Sequence, residues 1–497
     1  MLRPCALFSD GAVLCRGKDL PVFGEATDGQ RVTVLLTGAS GATLAQARGK
    51  ARDGRFLVFL PAQQAQTGCE LRISTETEET VIRDVAVGEV WLAGGQSNME
   101  LALMNSADGP EETAQHDDPL LRFFEVPKYA RACPEAEEAF AASRWQPVRP
   151  GEAGWVSAVA YWFAKKRRAD TGVPVGVIDC WWGGTSITCW MSRESLLETA
   201  AGQRYIEEDQ RRSAGITMED YLRAEQGFLS GMSAWNDRVA EARRQLPPDT
   251  PWREIEEIAG PCPWNPPAGP GSPYRPAGLY DAMLRRVTPM RLSGVIYYQG
   301  EEDAERTDRY ELLMARLISL WRSDFRDDAL PFLFVQLPGW GGCGDHDAWP
   351  RLRWAQEQVF RSVRHTGMAV TIDLGEQENI HPTEKKPVGL RLAEQAGIVA
   401  DGLPGEESSR IVSAFWQEDS VLLRLSQPVA GALTGFQLRD GHRCWHPAAA
   451  AREEDGIRLT LPEAEGITGA RYAWLDWPEV TLFGGNGLPL APWKEEI

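Results

Sequence analysis

The chain has 497 residues, more than one ordinary core can organise, so two or three domains are expected. Its 52 Lys and Arg against 71 Asp and Glu give a formal charge of −19, which argues against nucleic acid or anionic membrane as a partner, because their phosphates call for basic patches. Nine cysteines without metal-type spacing read as reduced thiols, and the absence of an apolar leader or a membrane-length apolar run predicts a cytoplasmic protein.

Residues 1–85 read as an N-terminal β-sandwich-like domain. Val32–Leu36, Phe56–Leu60, Cys69–Ser74 and Thr80–Val87 are short apolar or alternating runs separated by turn residues. From 86 to 400 the pattern switches to alternating strand and helix. Val90–Ala93, Val173–Asp179, Leu292–Tyr298, Pro331–Leu337 and Met368–Ile372 are buried-strand runs, and Tyr310, Leu313, Met314, Leu317, Leu320 and Trp321 mark a helical stripe. This alternation predicts an α/β domain with a doubly wound parallel sheet. Residues 193–277 interrupt the repeat. They are charged and helical through Glu257, then rich in Pro and Gly from Pro261 to Pro276, and fit a lid, a rim, an oligomer contact or a surface loop. Residues 401–497 return to short strands, including Val421–Leu425, Gly435–Leu438 and Ile457–Leu461, and predict a second β-rich domain.

The chemistry collects where predicted strands end, the place at which open α/β sheets bind ligands. Gly94-Gly95-Gln96-Ser97-Asn98-Met99 follows the first catalytic-domain strand. On that stretch alone Ser97 is most simply a helix cap. Three further stretches fall at predicted strand ends: Cys180–Ser186, Tyr297–Ala304 and Asp373–Pro382. Together they hold a hydroxyl, glycine N–H groups, an amide, carboxylates and an imidazole, the parts of serine-type acyl transfer. Of the six histidines (116, 346, 365, 381, 442 and 446), His381 alone lies in a strand-following loop beside several carboxylates, Asp373, Glu376 and Glu378. A carboxylate there would keep one ring nitrogen protonated and free the other as a base.

These stretches resemble the blocks of the sialate O-acetylesterase group within the SGNH (GDSL-type) hydrolases. The resemblance runs through Gln96–Met99, Trp182–Thr185 with Trp190–Ser192, Tyr298–Glu301, Ile380–Pro382 and, near the end, Arg471–Trp474 with Gly487–Pro489. It implies an SGNH hydrolase domain flanked by small all-β domains, and it makes Ser97 the nucleophile and His381 the base. The N–H of Ser97, the N–H of Gly184 (or Gly183) and the Gln299 amide become the oxyanion donors. The implied substrate is an acetylated small-molecule sugar, O-acetylated sialic acid or a relative, with no metal or cofactor.

Two positions depart from the family pattern. Asp303 stands where an Asn is common, and lacks its NH₂ donor. Glu378 stands where an Asp precedes the His by three; it is the expected acid, with Glu376, Asp373 or a dyad without an acid as alternatives. Trp182, Thr185 and Trp190 are the expected sugar contacts. An acetylxylan-type esterase and a non-catalytic carbohydrate-binding scaffold are the competing readings, and the oligomeric state is left open.

Overall fold

The computed structural model describes residues 1–247, 250–343, 347–454, 456–462 and 466–497, so His346 lies outside the described residues. A large mixed sheet, with smaller all-β sheets at both ends of the chain, forms a mixed α/β molecule.

The N-terminal strands include β1 (Arg31–Thr37), β2 (Gln66–Ser74) and β3 (Glu79–Gly95), paired antiparallel in that order. β3 has 17 residues and passes through positions 85 and 86 without a break. Its first half completes the N-terminal sheet. Its second half, fully buried from Val85 onward, becomes the middle of the catalytic sheet. A strand covered on both faces loses the polar alternation of its exposed half, which is why Val90-Trp91-Leu92-Ala93 reads as a continuous apolar run.

Around β3 lie β4 (Asp118–Glu125), β5 (Val175–Trp181), β6 (Gly294–Tyr298), β7 (Phe332–Gln336) and β8 (Thr366–Val370). Their order across the sheet is β4-β5-β3-β6-β7-β8, all parallel, with Gln146–Val148 added antiparallel at the edge. Long crossovers are needed between parallel neighbours. Helices supply most of them: α1 (Ala158–Thr171) precedes β5, α2 (Met218–Gln245) lies in the insertion, α3 (Thr307–Asp324) follows β6, α4 (Ala348–Ser362) follows β7, and α5 (Lys386–Val399) follows β8. α1 packs on α5, and α3 packs on α4. The buried stripe of α3 holds Tyr310, Leu313, Met314, Leu317 and Trp321 as its spacing predicts, with Ile318 buried in addition and Leu320 only half-buried.

Within the insertion α2 begins at a capping box, the Thr217 hydroxyl accepting from the Asp220 N–H and the Asp220 carboxylate accepting in return. After residue 401 the strands Ile411–Trp416, Ser420–Leu425, Gly456–Thr460 and Ala449–Glu453 form one four-stranded sheet, and Trp445–Pro447, Phe436–Asp440, Ile467–Tyr472 and Trp493–Glu496 form another. Among the described residues no helix is long and apolar enough to cross a membrane.

Candidate active site

Three neighbouring strands end level with one another. Gly95 of β3 is paired with Trp181 of β5 on one side and with Tyr298 of β6 on the other. The chain then turns sharply. Gly95 sits at φ 134°, and a Cβ there would lie 2.1 Å from the Tyr298 carbonyl oxygen, so no larger residue fits. The Gln96 N–H donates to that same carbonyl at 3.0 Å. Ser97 thereby opens a short helix, Ser97–Glu100, at the edge of the sheet. Among the described residues its side chain caps no helix. Its Oγ instead meets His381 Nε2 at 2.8 Å, across 284 residues of sequence.

The loop that carries His381 is held by its own side chains. Glu376 accepts from the Thr383 N–H at 2.6 Å, from the Thr383 hydroxyl at 3.0 Å and from the Asn379 amide at 2.9 Å. Asn379 also accepts from the His381 N–H and donates to the His381 carbonyl. Asp373 is engaged elsewhere, in a bidentate pair with Arg391 at 2.6 and 2.7 Å. Glu378 is exposed and makes no hydrogen bond or ion pair among the described residues. The expected acid is therefore not brought to His381, and neither rival carboxylate is free to replace it. What stands on the structure is a Ser–His pair. One edge of the imidazole is open to solvent, yet the cleft walls, and after them the Lys385 ammonium, hold its pKa below the ordinary histidine value. A neutral imidazole is the form that accepts a proton.

Beneath this pair lies a buried polar chain. Lys385 Nζ donates to Asn98 Oδ1 at 2.5 Å; Asn98 Nδ2 donates to Glu301 at 2.5 Å and to the Ile380 carbonyl at 2.9 Å. Burial pushes Lys385 down to about 7, against the opposing pull of Glu301 and Glu376. Burial likewise raises the Glu301 carboxyl above its usual range, with the Asn98 hydrogen bond opposing.

The glycine turn after β5 forms the other wall. Glu100 accepts from the Gly183 N–H at 2.6 Å and also binds Lys128, whose ammonium sits over the rings of Trp181 and Trp182 at 4.6 and 5.7 Å. The Gly183 N–H is thus occupied. Among the described residues the N–H groups of Ser97 and Gly184 have no acceptor, and the two turns lie against each other, since a Cβ on Gly183 would lie 3.3 Å from Ser97 Cβ.

Gln299 is placed differently from the expectation. It is 1% exposed, and its amide nitrogen donates to Asp303 at 2.6 Å and to the Thr185 carbonyl at 3.2 Å, which uses both protons. Asp303 is what captures it. That carboxylate also accepts from the Tyr205 hydroxyl at 2.5 Å and the Ile187 N–H at 2.8 Å.

Of the expected sugar contacts, Thr185 and Trp190 are each 0% exposed and serve the core: the Trp190 indole N–H donates to the Thr185 hydroxyl at 3.0 Å. A fully buried side chain cannot touch a ligand, so only the half-buried Trp182 keeps that opportunity. Two aromatics missed by the sequence reading come from the insertion. Trp264 and Tyr274 meet edge to face at 5.7 Å and line a small pocket with Gly184, Arg212, Glu302 and Arg306. Composition marks their segment as a Pro- and Gly-rich loop and gives no sign of what it covers.

A strand-end Ser–His pair on a mixed α/β scaffold defines a candidate esterase, and comparison with known proteins narrows the class. A family model described as carbohydrate esterase, sialic acid-specific acetylesterase, matches residues 87–216 and 264–397. The chain belongs to that family. It is similar to the sialate O-acetylesterase of Rattus norvegicus, 27% identical over 92% of this chain and 86% of the relative. The Homo sapiens sialate O-acetylesterase is 24% identical over 92% of this chain and 84% of its own length. Among solved structures, a carbohydrate acetylesterase from Xanthomonas citri superimposes with a TM-score of 0.77 at 29% identity, covering 99% of both chains.

Proposed function

We propose that this carbohydrate esterase hydrolyses acetyl esters of sialic acid or a related sugar through an acyl-enzyme formed on Ser97. The observation that carries the mechanism is the 2.8 Å approach of His381 Nε2 to Ser97 Oγ. As Oγ attacks the acetyl carbonyl carbon, Nε2 takes the hydroxyl proton. The resulting oxyanion faces the unpaired N–H groups of Ser97 and Gly184, preorganised donors of the kind that stabilise such charge. Collapse expels the sugar oxygen, which receives the proton from His381. Water, deprotonated by the same imidazole, then attacks the acyl carbon and releases acetate with Ser97 restored.

In this reading the catalytic sheet is the doubly wound, flavodoxin-like SGNH arrangement. Support comes from its all-parallel middle order and from helix pairs α1/α5 and α3/α4 packing separately. The division at about residues 85 and 400, with 193–277 as an insertion, is kept as a functional one: β elements flank the site, and the insertion walls it.

Acetate release from 9-O-acetylated sialic acid, wild type beside Ser97→Ala, tests the reading. Release that vanishes in the variant supports both nucleophile and substrate. Release from acetylated xylan alone keeps the mechanism and replaces the sugar. No release from either sugar or from p-nitrophenyl acetate points to a non-catalytic carbohydrate-binding scaffold.

A further inference from the structure

A second concavity adjoins the small pocket at Gly184 and enters none of the steps above. It lies between α2 and the Pro263–Ala268 loop and has a volume of about 550 Å³, within the range of sites for small organic ligands. Arg212 and Pro266 line both this groove and the inner pocket at Gly184, so the two spaces are neighbours. Trp264 stands between them. One edge of its ring covers Gly184, and besides Tyr274 it meets Phe228 of α2 in edge-to-face contact at 5.7 Å. The floor of the groove is built from small residues of α2. Gly227 and Gly231 are one helical turn apart, and a Cβ on either would meet nothing within 4 Å. Two glycines in mid-helix carry a conformational cost, and no packing contact here requires them. What they provide is room. Arg212 is the one charged group on the wall; the rest is aromatic, proline, small side chain and the Asn265 amide. Aromatic faces, proline edges and a single amide suit the C–H faces and hydroxyls of uncharged sugars, and do not suit a polyanion or a large apolar partner.

We propose that the acetylated sugar enters as part of a longer glycan, whose adjoining uncharged units occupy the groove between α2 and the Pro263–Ala268 loop. This rests on the carbohydrate reading above and extends it from a monosaccharide to an oligosaccharide. The insertion is then a subsite wall, with Phe228 and Asn265 as its contacts and Gly227 and Gly231 as the space left for the chain.

The test compares two matched pairs: free against lactose-linked 9-O-acetylated sialic acid, and acetylated xylose against acetylated xylotetraose. Each is run with wild type, Phe228→Ala, and the groove-filling Gly227→Trp and Gly231→Trp. Because both glycines sit in a helix with open space around them, these replacements do not threaten folding. The expected result is a lower KM for the longer member of whichever pair is cleaved. That advantage should fall by roughly two- to tenfold in Phe228→Ala, the worth of one aromatic contact, and vanish on filling, with p-nitrophenyl acetate turnover unchanged. Equal KM values within a pair, or an advantage that survives filling, overturns the subsite. Failure of the underlying carbohydrate reading looks different: neither member of either pair is cleaved while p-nitrophenyl acetate is, and the subsite falls with it.

Discussion

Lys385 Nζ and Asn98 Oδ1 lie 2.5 Å apart in a position where neither reaches solvent. The contact joins the residue after Ser97 to the loop that carries His381, and Asn98 extends it to Glu301, just past the end of β6. A buried ammonium is expensive to keep, so its removal should loosen the alignment of His381. In Lys385→Met, kcat/KM is expected to fall by about tenfold to a hundredfold. The pH profile carries the sharper signature. Activity needs neutral His381 and is lost as pH drops through its pKa. Lys385 helps hold that pKa down and, with its own value near 7, is charged over the acid limb. Losing the charge should move the acid limb to higher pH. An unmoved limb would leave Lys385 a packing residue only.

Removing the pair itself is the larger effect. Ser97→Ala and His381→Ala should each cost on the order of 10³ or more in kcat. Neither side chain supports the core, so the denaturant midpoint should hardly change. Glu378→Ala, by contrast, should stay within about tenfold of wild type, since that carboxylate touches nothing that could pass an effect to the ring. A thousandfold loss in Glu378→Ala would mean that the loop closes on substrate and completes a triad after all.

How much of this was readable beforehand depended on the kind of constraint. Ser97 and His381 could be collected at one end of the sheet across 284 residues because strand ends converge whatever the loop lengths, and the family resemblance then paired them. The direction of a side chain beyond a strand end could not. Gln299 precedes and Asp303 lies on the 3₁₀ turn Glu301–Arg306, and they meet each other in a network that also draws in the Tyr205 hydroxyl and the Ile187 N–H. Trp190 looks like a sugar platform by type, and its burial depends on α3 packing against its turn, with the Trp321 indole donating to its carbonyl at 3.0 Å. The break expected near residue 85 follows from a change of pattern, and the pattern changes because one strand passes from a half-covered sheet into a fully covered one.

Asp303 offers a test of the buried network. Three donors converge on it: the Tyr205 hydroxyl, the Ile187 N–H and the Gln299 amide. Asp303→Ala leaves them without an acceptor in a site closed to water, and a loss of about 1–3 kcal/mol is expected. Asp303→Asn keeps one acceptor oxygen but turns an NH₂ toward the remaining donors, so it should lie between wild type and Ala. Urea midpoints at unchanged slope would show it. A fully stable Asp303→Ala would mean that Gln299 has re-aimed its amide, and oxyanion stabilisation should then be measured in the same variant.

Gly184 separates two physical effects at one atom. Its φ is 71°, in the left-handed region, and a Cβ would lie 2.3 Å from the Trp264 ring. Gly184→Ala must either shift the tryptophan or twist the turn that aims the N–H. Misaiming one oxyanion donor costs about 10²–10³ in kcat, and that is the expected loss. The double variant Gly184→Ala/Trp264→Ala tells which effect dominates. If the clash rules, removing the indole should restore most of kcat, since nothing else presses on the new methyl so closely. If the backbone rules, the double variant should be as slow as the single one, because an L-residue at this φ is disfavoured with or without a neighbour. Trp264→Ala alone should raise KM for sugars and leave p-nitrophenyl acetate turnover unchanged; a drop in that turnover would make the indole part of the turn rather than a wall of the sugar pocket.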